Sequence, residues 1–205
     1  MNRVNSFLDV VAFVYVLLFF PAPFFWLLIH PAIRFWRRLG KRAYWVALVV
    51  WIGTGVPLVV FREAIFAERI ERNALTWILG LGLMGVAIWL DRRVLRRLGL
   101  LRLTGLPELL AEQGRGALVR DGIYAHLRHP RYLEYMITFV ALALLTGAVG
   151  IFALAIATIL MYLFVAPLEE RELRDHYGSE YEAYAREVPR FIPRLRRNAK
   201  SAVSS

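Results

Sequence analysis

The chain has 205 residues, 59% of them hydrophobic, with a mean hydropathy of +0.50; it is too apolar for a soluble domain and too short for more than one compact unit. Its 26 Lys and Arg against 16 Asp and Glu leave a net charge of +10, which a membrane protein spends on anionic headgroups and on the positive-inside rule, so nucleic acid is not an expected partner. The absence of cysteine excludes disulfides, thiolate metal sites and cysteine nucleophiles.

Phe7 to Ile29 is a near-continuous apolar run, long enough to cross a bilayer that needs about 20 helical residues, with Pro21 and Pro23 placed to kink it near its end. It is longer than a signal-peptide core and lacks a small-residue cleavage site, so it reads as retained. A basic loop follows with Arg34, Arg37, Arg38, Lys41 and Arg42, and a second span from Ala43 to Phe61. Arg62 to Asn73 is a connector of balanced charge, and Ala74 to Leu90 is a third, short span. From Asp91 to Arg131 the chain turns polar: Arg92, Arg93, Arg96, Arg97 and Arg102 alternate with leucines as in a helix lying among headgroups, and Leu106 to Gln113 suits another short helix. A fourth span from Pro130 to Thr146 and a fifth from Ala148 to Leu168 are joined so tightly at Gly147 to Gly150 that they form an antiparallel hairpin. The basic tail from Arg194 has the composition of a flexible segment.

These elements predict an all-α, polytopic membrane protein with about five transmembrane helices, a C-terminal helical hairpin and one membrane domain over 1–205. Residues 1–90 are its three-span scaffold and 91–193 its chemistry-bearing half. With the N-terminus outside, 22 of the 26 Lys and Arg fall on the inner side, so Asp121 to Tyr132 and the tail face the cytoplasm. Gly80, Gly82 and Gly85 match GxGxxG, but they lie inside an apolar helix instead of between a strand and a helix, and close helix packing explains them.

Polar chemistry gathers in DGIYAHLRHPRY, Asp121 to Tyr132, and in Glu169-Glu170. The residue before a proline avoids helical geometry and proline suits the first helical position, so His129 should cap the fourth span and leave backbone N–H groups for an anion. Arg128 and Arg131 add positive charge, and Tyr124 and Tyr132 offer faces for a flat ring; anchoring of a helix end in the headgroups is the competing explanation. His126 and His129 have HxxH spacing, but the proline breaks the helix that would align them and no third ligand is near, so no metal is expected. The fifth span should run on through LEERELRDHY to Gly178. Within it Glu170 pairs with Arg174 at i,i+4, whereas Glu169 has no cation at helical spacing and is the carboxylate left for a ligand.

At these residues the sequence resembles the isoprenylcysteine carboxyl methyltransferase and phospholipid methyltransferase family of integral membrane enzymes. The match comprises GIYAHLRHPRY, the apolar hairpin, the paired glutamates and HYGSEYEAYAREVPRFIP, from about Leu118 to Pro193. The resemblance implies a cytosolic S-adenosylmethionine site, with cofactor contacts at Leu118, Val119, Tyr124, His129, Pro130, Arg131, Tyr132 and Glu169. Methyl transfer from a sulfonium needs alignment and exclusion of water more than acid-base machinery; where a base is required, His126 and Glu170 are the candidates. Two positions depart from the family: Glu134 stands where glycine is usual, and Val165 where the isoprenylcysteine enzymes carry an arginine for the substrate carboxylate. A lipophilic acceptor other than a prenylated protein is therefore expected. An NADPH-dependent membrane reductase of sterol-like substrates and a non-catalytic membrane module are the alternatives.

Overall fold

The computed structural model describes residues 3–103 and 117–193. The expected short helix at Leu106 to Gln113 and the tail from Arg194 lie outside the described residues. The regular elements among those described are all helices, with one isolated antiparallel bridge between Arg69 and Ala148. The helices are α1 (Arg3–Phe19), α2 (Ala22–Ile29), α3 (Ile33–Leu39), α4 (Tyr44–Val60), α5 (Arg62–Ala67), α6 (Ala74–Leu103), α7 (Pro130–Thr146), α8 (Val149–Tyr177) and α9 (Ser179–Glu187). Among the described residues, three stretches are long and apolar enough to cross a membrane: Phe7–Ala32, Ala74–Gly99 and Val149–Tyr177. Trp45–Val60 and the 17-residue α7 are shorter.

Local chemistry sets the breaks. Pro21 and Pro23 interrupt the first apolar run, so that α1 ends at Phe19 and α2 restarts with a proline in its first turn. One expectation is corrected: α6 does not stop at Leu90 to hand over to a separate interfacial helix. Arginine and leucine are both strong helix formers, so the arginine-rich stretch simply prolongs the transmembrane helix, and the kink comes only at Gly99 (φ 70°, ψ 164°). Asp91 and Arg97 are thereby carried alongside the motif: Asp91 pairs with Arg131 and Arg97 with Asp121.

The α7–α8 hairpin is the core. Gly147, at φ 68°, caps α7 in the left-handed region and donates its N–H to Ala143 O. A β-carbon there would stand 2.7 Å from Ile70 O, so the turn is closed by the α5–α6 connector. Arg69 reinforces it, binding both carboxylate oxygens of Asp9 on α1 (2.6 and 3.1 Å) and Thr146 O, while Arg72 donates to Leu145 O. Inside, Phe139, Leu142, Ile151 and Ala155 pack with Ala12 and Val16. Outside, Leu79, Val86, Ile156, Leu160 and Phe164 are exposed, as lipid-facing residues are. Of the three glycines in the GxGxxG match, only Gly80 is packed tightly, with Leu145 Cγ 2.8 Å from where its β-carbon would lie; Gly82 and Gly85 have nothing within 4 Å.

Candidate active site

His129 and Pro130 do what their order dictates. His129 lies outside the helical region (φ −123°, ψ 59°) as the N-cap, and Pro130 opens α7. The N–H groups just ahead of the helix are taken. Arg128 N donates to Pro189 O (2.9 Å), His129 N to Arg190 O (3.2 Å), and Leu133 N returns to His129 O, while Pro130 has none to offer. The chain after α9 thus pairs with the entry to α7.

The apolar run of α8 ends at Leu168, and its polar last turns carry the carboxylates. Here the surroundings of the two acids differ from those expected. Glu170, read as a surface residue paired with Arg174, is fully buried. It takes Arg128 Nε at 3.1 Å and Nη2 at 2.8 Å, Arg190 Nε at 2.8 Å and Nη2 at 2.7 Å, and His129 Nε2 at 3.1 Å; Arg174 is the outermost partner at 3.5 Å. Arg128 Nη1 also donates to Ala185 O and Val188 O, fastening α9 to the same point. Glu169, read as unpaired, lies 3.2 Å from His129 Nδ1, and about a fifth of its side chain is exposed. Spacing within one helix missed these partners because they come from other segments; the arginine-bearing VPRFIP run that follows the acids was the available signal.

With an acid on each ring nitrogen, His129 donates from both and is held as the imidazolium. Burial works against that charge, but the bonds to Glu169 and Glu170 outweigh it and raise the pKa. Burial likewise opposes ionisation of the acids, yet His129 holds the Glu169 carboxyl at about 2, and Arg190 and His129 hold Glu170 well below the usual carboxylate range.

The other expected contacts divide. Tyr132 is buried and stacked on both His129 (5.3 Å, 7°) and Tyr162 (4.6 Å, 24°), so its ring is engaged within the protein. Tyr124 is half-buried, and its carbonyl accepts from Tyr184 Oη at 2.7 Å. Leu118 packs on the Tyr181, Tyr184 and Val188 cluster, and Val119 beside it is half-buried. Arg131 parts from this group: it pairs with Asp91 and Glu134 and lies 4.6 Å over the Tyr135 ring, toward α1 and α6. His126 is exposed at the end of the Gly122–Ala125 turn. A buried pair the sequence did not suggest, His30 Nδ1 with Glu172 Oε2 at 2.8 Å, joins the first span to α8, with His30 stacked on Trp26.

The chain is 29% identical over 163 residues to a methanethiol S-methyltransferase of Pseudomonas deceptionensis, an alignment covering 76% of this chain and 58% of that protein. It is 39% identical over 71 residues to methanethiol S-methyltransferase 1 of Bradyrhizobium diazoefficiens, covering 35% and 24%. Over 78 residues it is 36% identical to the protein-S-isoprenylcysteine O-methyltransferase of Schizosaccharomyces pombe, covering 37% and 33%. The chain spans about a quarter to three-fifths of the length of the methanethiol relatives. The family model for phospholipid methyltransferases matches residues 75–180, more than half of the chain, from the start of α6 through the paired glutamates. On that match, the chain belongs to the phospholipid methyltransferase family.

Proposed function

We propose that this chain transfers a methyl group from S-adenosylmethionine to a lipophilic acceptor at the cytoplasmic face of the membrane. One observation carries the reading: His129, at the start of one hairpin arm, and Glu169, at the end of the other, meet at 3.2 Å at the same end of the bundle. A helix end merely anchored in headgroups has no need of a fully buried acid held by Arg128, His129 and Arg190.

The residues fit the cofactor. Glu169 is the acid of the pair that reaches the surface, and it is ionised, as a partner for the ammonium or the ribose hydroxyls must be. Leu118 packs on α9, the Tyr124 carbonyl accepts from Tyr184 of the same helix, and Tyr132 stacks on His129, so these candidates gather around the two hairpin ends. When bound, S-adenosylmethionine supplies an electrophilic methyl on a sulfonium centre. Glu170 is too strongly stabilised as the anion to serve as a base; its place is that of a positioning residue that locks His129 against Glu169. His126, exposed to water, is the group left to accept a proton.

The test is calorimetric titration with S-adenosylhomocysteine of the protein in lipid nanodiscs. Wild type binds, and Glu169→Ala loses a charge-assisted contact, weakening binding by about tenfold to a hundredfold. Absence of binding by wild type, or binding of NADPH in its place, overturns the assignment.

A further inference from the structure

The first span and α8 meet beside the paired glutamates through a contact to which the methyltransfer reading assigns no role. His30, at the end of that span, gives Nδ1–H to Glu172 Oε2 at 2.8 Å, and both residues are buried. His30 Nε2 is buried without a partner, so this is the ring's one hydrogen bond, and its face is held by Trp26 (5.2 Å, 19°). Trp26 in turn packs on the buried cluster of Tyr132, Tyr162 and Val165, and Tyr132 stacks on His129. Glu172 lies three residues after Glu169, whose carboxylate stands 3.2 Å from His129 Nδ1. The contacts close on themselves: from His129 through Tyr132 and its cluster to Trp26, His30 and Glu172, and along one turn of α8 to Glu169 and back.

Packing alone gives no reason for the His30–Glu172 pair. Apolar residues of similar volume in place of a buried ion pair are commonly neutral or stabilising, and an ionisable group kept within a membrane span points to a site. The neighbouring turn of α8 supplies the reason. Glu169 and Glu172 project from that helix about 60° apart, where two free carboxylates repel. Each has a histidine of its own, His129 for Glu169 and His30 for Glu172. Burial raises the Glu169 pKa, but His129 foremost, with His30 behind it, brings it down to about 2, so His30 stands close enough to act on that carboxylate. We infer that His30 is a positioning residue of the donor site: by anchoring Glu172 to the first span, it fixes the turn of α8 that aims Glu169 at His129 and at the bound cofactor. Resting on the methyltransfer reading, this extends its site to the first span, outside the residues 75–180 that the family model matches.

The experiment is a double-mutant cycle read by calorimetric titration of S-adenosylhomocysteine into the full chain in nanodiscs. His30→Phe keeps a ring against Trp26 but removes the Nδ1–H donor. It should weaken binding by about threefold to tenfold, less than Glu169→Ala does, because a misaimed carboxylate still contributes where an absent one does not. In the Glu169→Ala background the same change should alter binding by less than about twofold, the scatter of independent sites. His30→Asn, whose amide nitrogen overlies Nδ1, should restore binding to within about twofold of wild type. A role confined to holding the helices together gives the opposite pattern: the same loss with or without Glu169. That result overturns the inference, as do wild-type affinity in His30→Phe and a His30→Asn no better than His30→Phe. Should His30→Phe fail to fold, Glu172→Gln carries the cycle; it keeps an acceptor for Nδ1–H without its charge, roughly halving the bond, and should cost about threefold only while Glu169 is present. Wild type failing to bind S-adenosylhomocysteine removes the methyltransfer reading and this inference with it, whereas wild type binding with a loss independent of Glu169 removes this inference alone.

Discussion

Replacing Glu170 by alanine should be the most damaging single truncation near the candidate site. The substitution strands Arg128, 11% exposed at its side chain, and leaves His129, 4% exposed, with Glu169 alone. Breaking a buried ion pair by removing one partner costs about 3–5 kcal/mol. Arg190 and Arg174 are 36% and 48% exposed and rehydrate, so their bonds add little to that figure. In a chain of this length about 4 kcal/mol corresponds to a fall in Tm of roughly 10 °C. Thermal unfolding in nanodiscs, followed by circular dichroism, measures it. Limited trypsin digestion adds a local readout, because without Glu170 the segment paired with Arg128 and His129 loses its anchor and the bond after Arg190 becomes cleavable in the folded protein. Glu170→Gln keeps the volume and one acceptor and should fall between. A Tm within 2 °C of wild type for Glu170→Ala, with Arg190 still protected, would refute the claim that this acid holds the site together.

Protonation equilibria give a second expectation. The lowered pKa values of Glu169 and Glu170 confer stability that is present above their unfolded values near 4 and is lost as pH falls toward about 2, the Glu169 value. The raised pKa of His129 has the opposite sign: its contribution is complete below about 6.5 and fades as pH rises through the folded value. Tm against pH should therefore be highest between about 5 and 6.5, and His129→Gln should abolish the alkaline fall; an alkaline limb unchanged by that substitution would contradict the pairing. Gly80→Val, which drives a branched side chain into Leu145, should cost about 1–3 kcal/mol, whereas Gly82→Ala, facing open space, should stabilise by up to about 1 kcal/mol; paired melts distinguish them. Gly147→Ala combines positive φ with a clash at Ile70 O and should cost at least about 1–2 kcal/mol. Arg69→Ala, which deprives Asp9 of a bidentate partner, should loosen α1 and raise amide exchange in the Gly147 turn.

The hairpin could be read from the sequence because its punctuation is local. Pro130 allows only a helix start, Gly147 and Gly178 supply the positive φ at which α7 and α8 end, and the prolines at 21 and 23 break the first run where they stand. Two features could not be read in that way. Arginine-leucine alternation carries no signal separating a new helix from the continuation of an old one, so the length of α6 was hidden. The acids of α8 were ranked by neighbours four residues away, whereas the partners that bury Glu170 lie 42 and 20 residues distant in sequence, and only the closing of the hairpin brings them in. Arg131 was placed with its motif neighbours, although one residue of helix turns a side chain by about 100° and sends it to the opposite flank of α7.

The strap formed by Pro189 and Arg190 has a consequence for biogenesis. Glu170 precedes by 20 residues the arginine that neutralises it, and the carbonyls that tie down Arg128 and His129 belong to the same later stretch. Until that stretch is in place the hairpin carries an acid short of one of its four cationic partners and a proline-led helix without its strap. Assembly of the centre thus waits for residues 189 and 190, and a chain truncated before them would leave an inserted but unfinished bundle for membrane quality control to find.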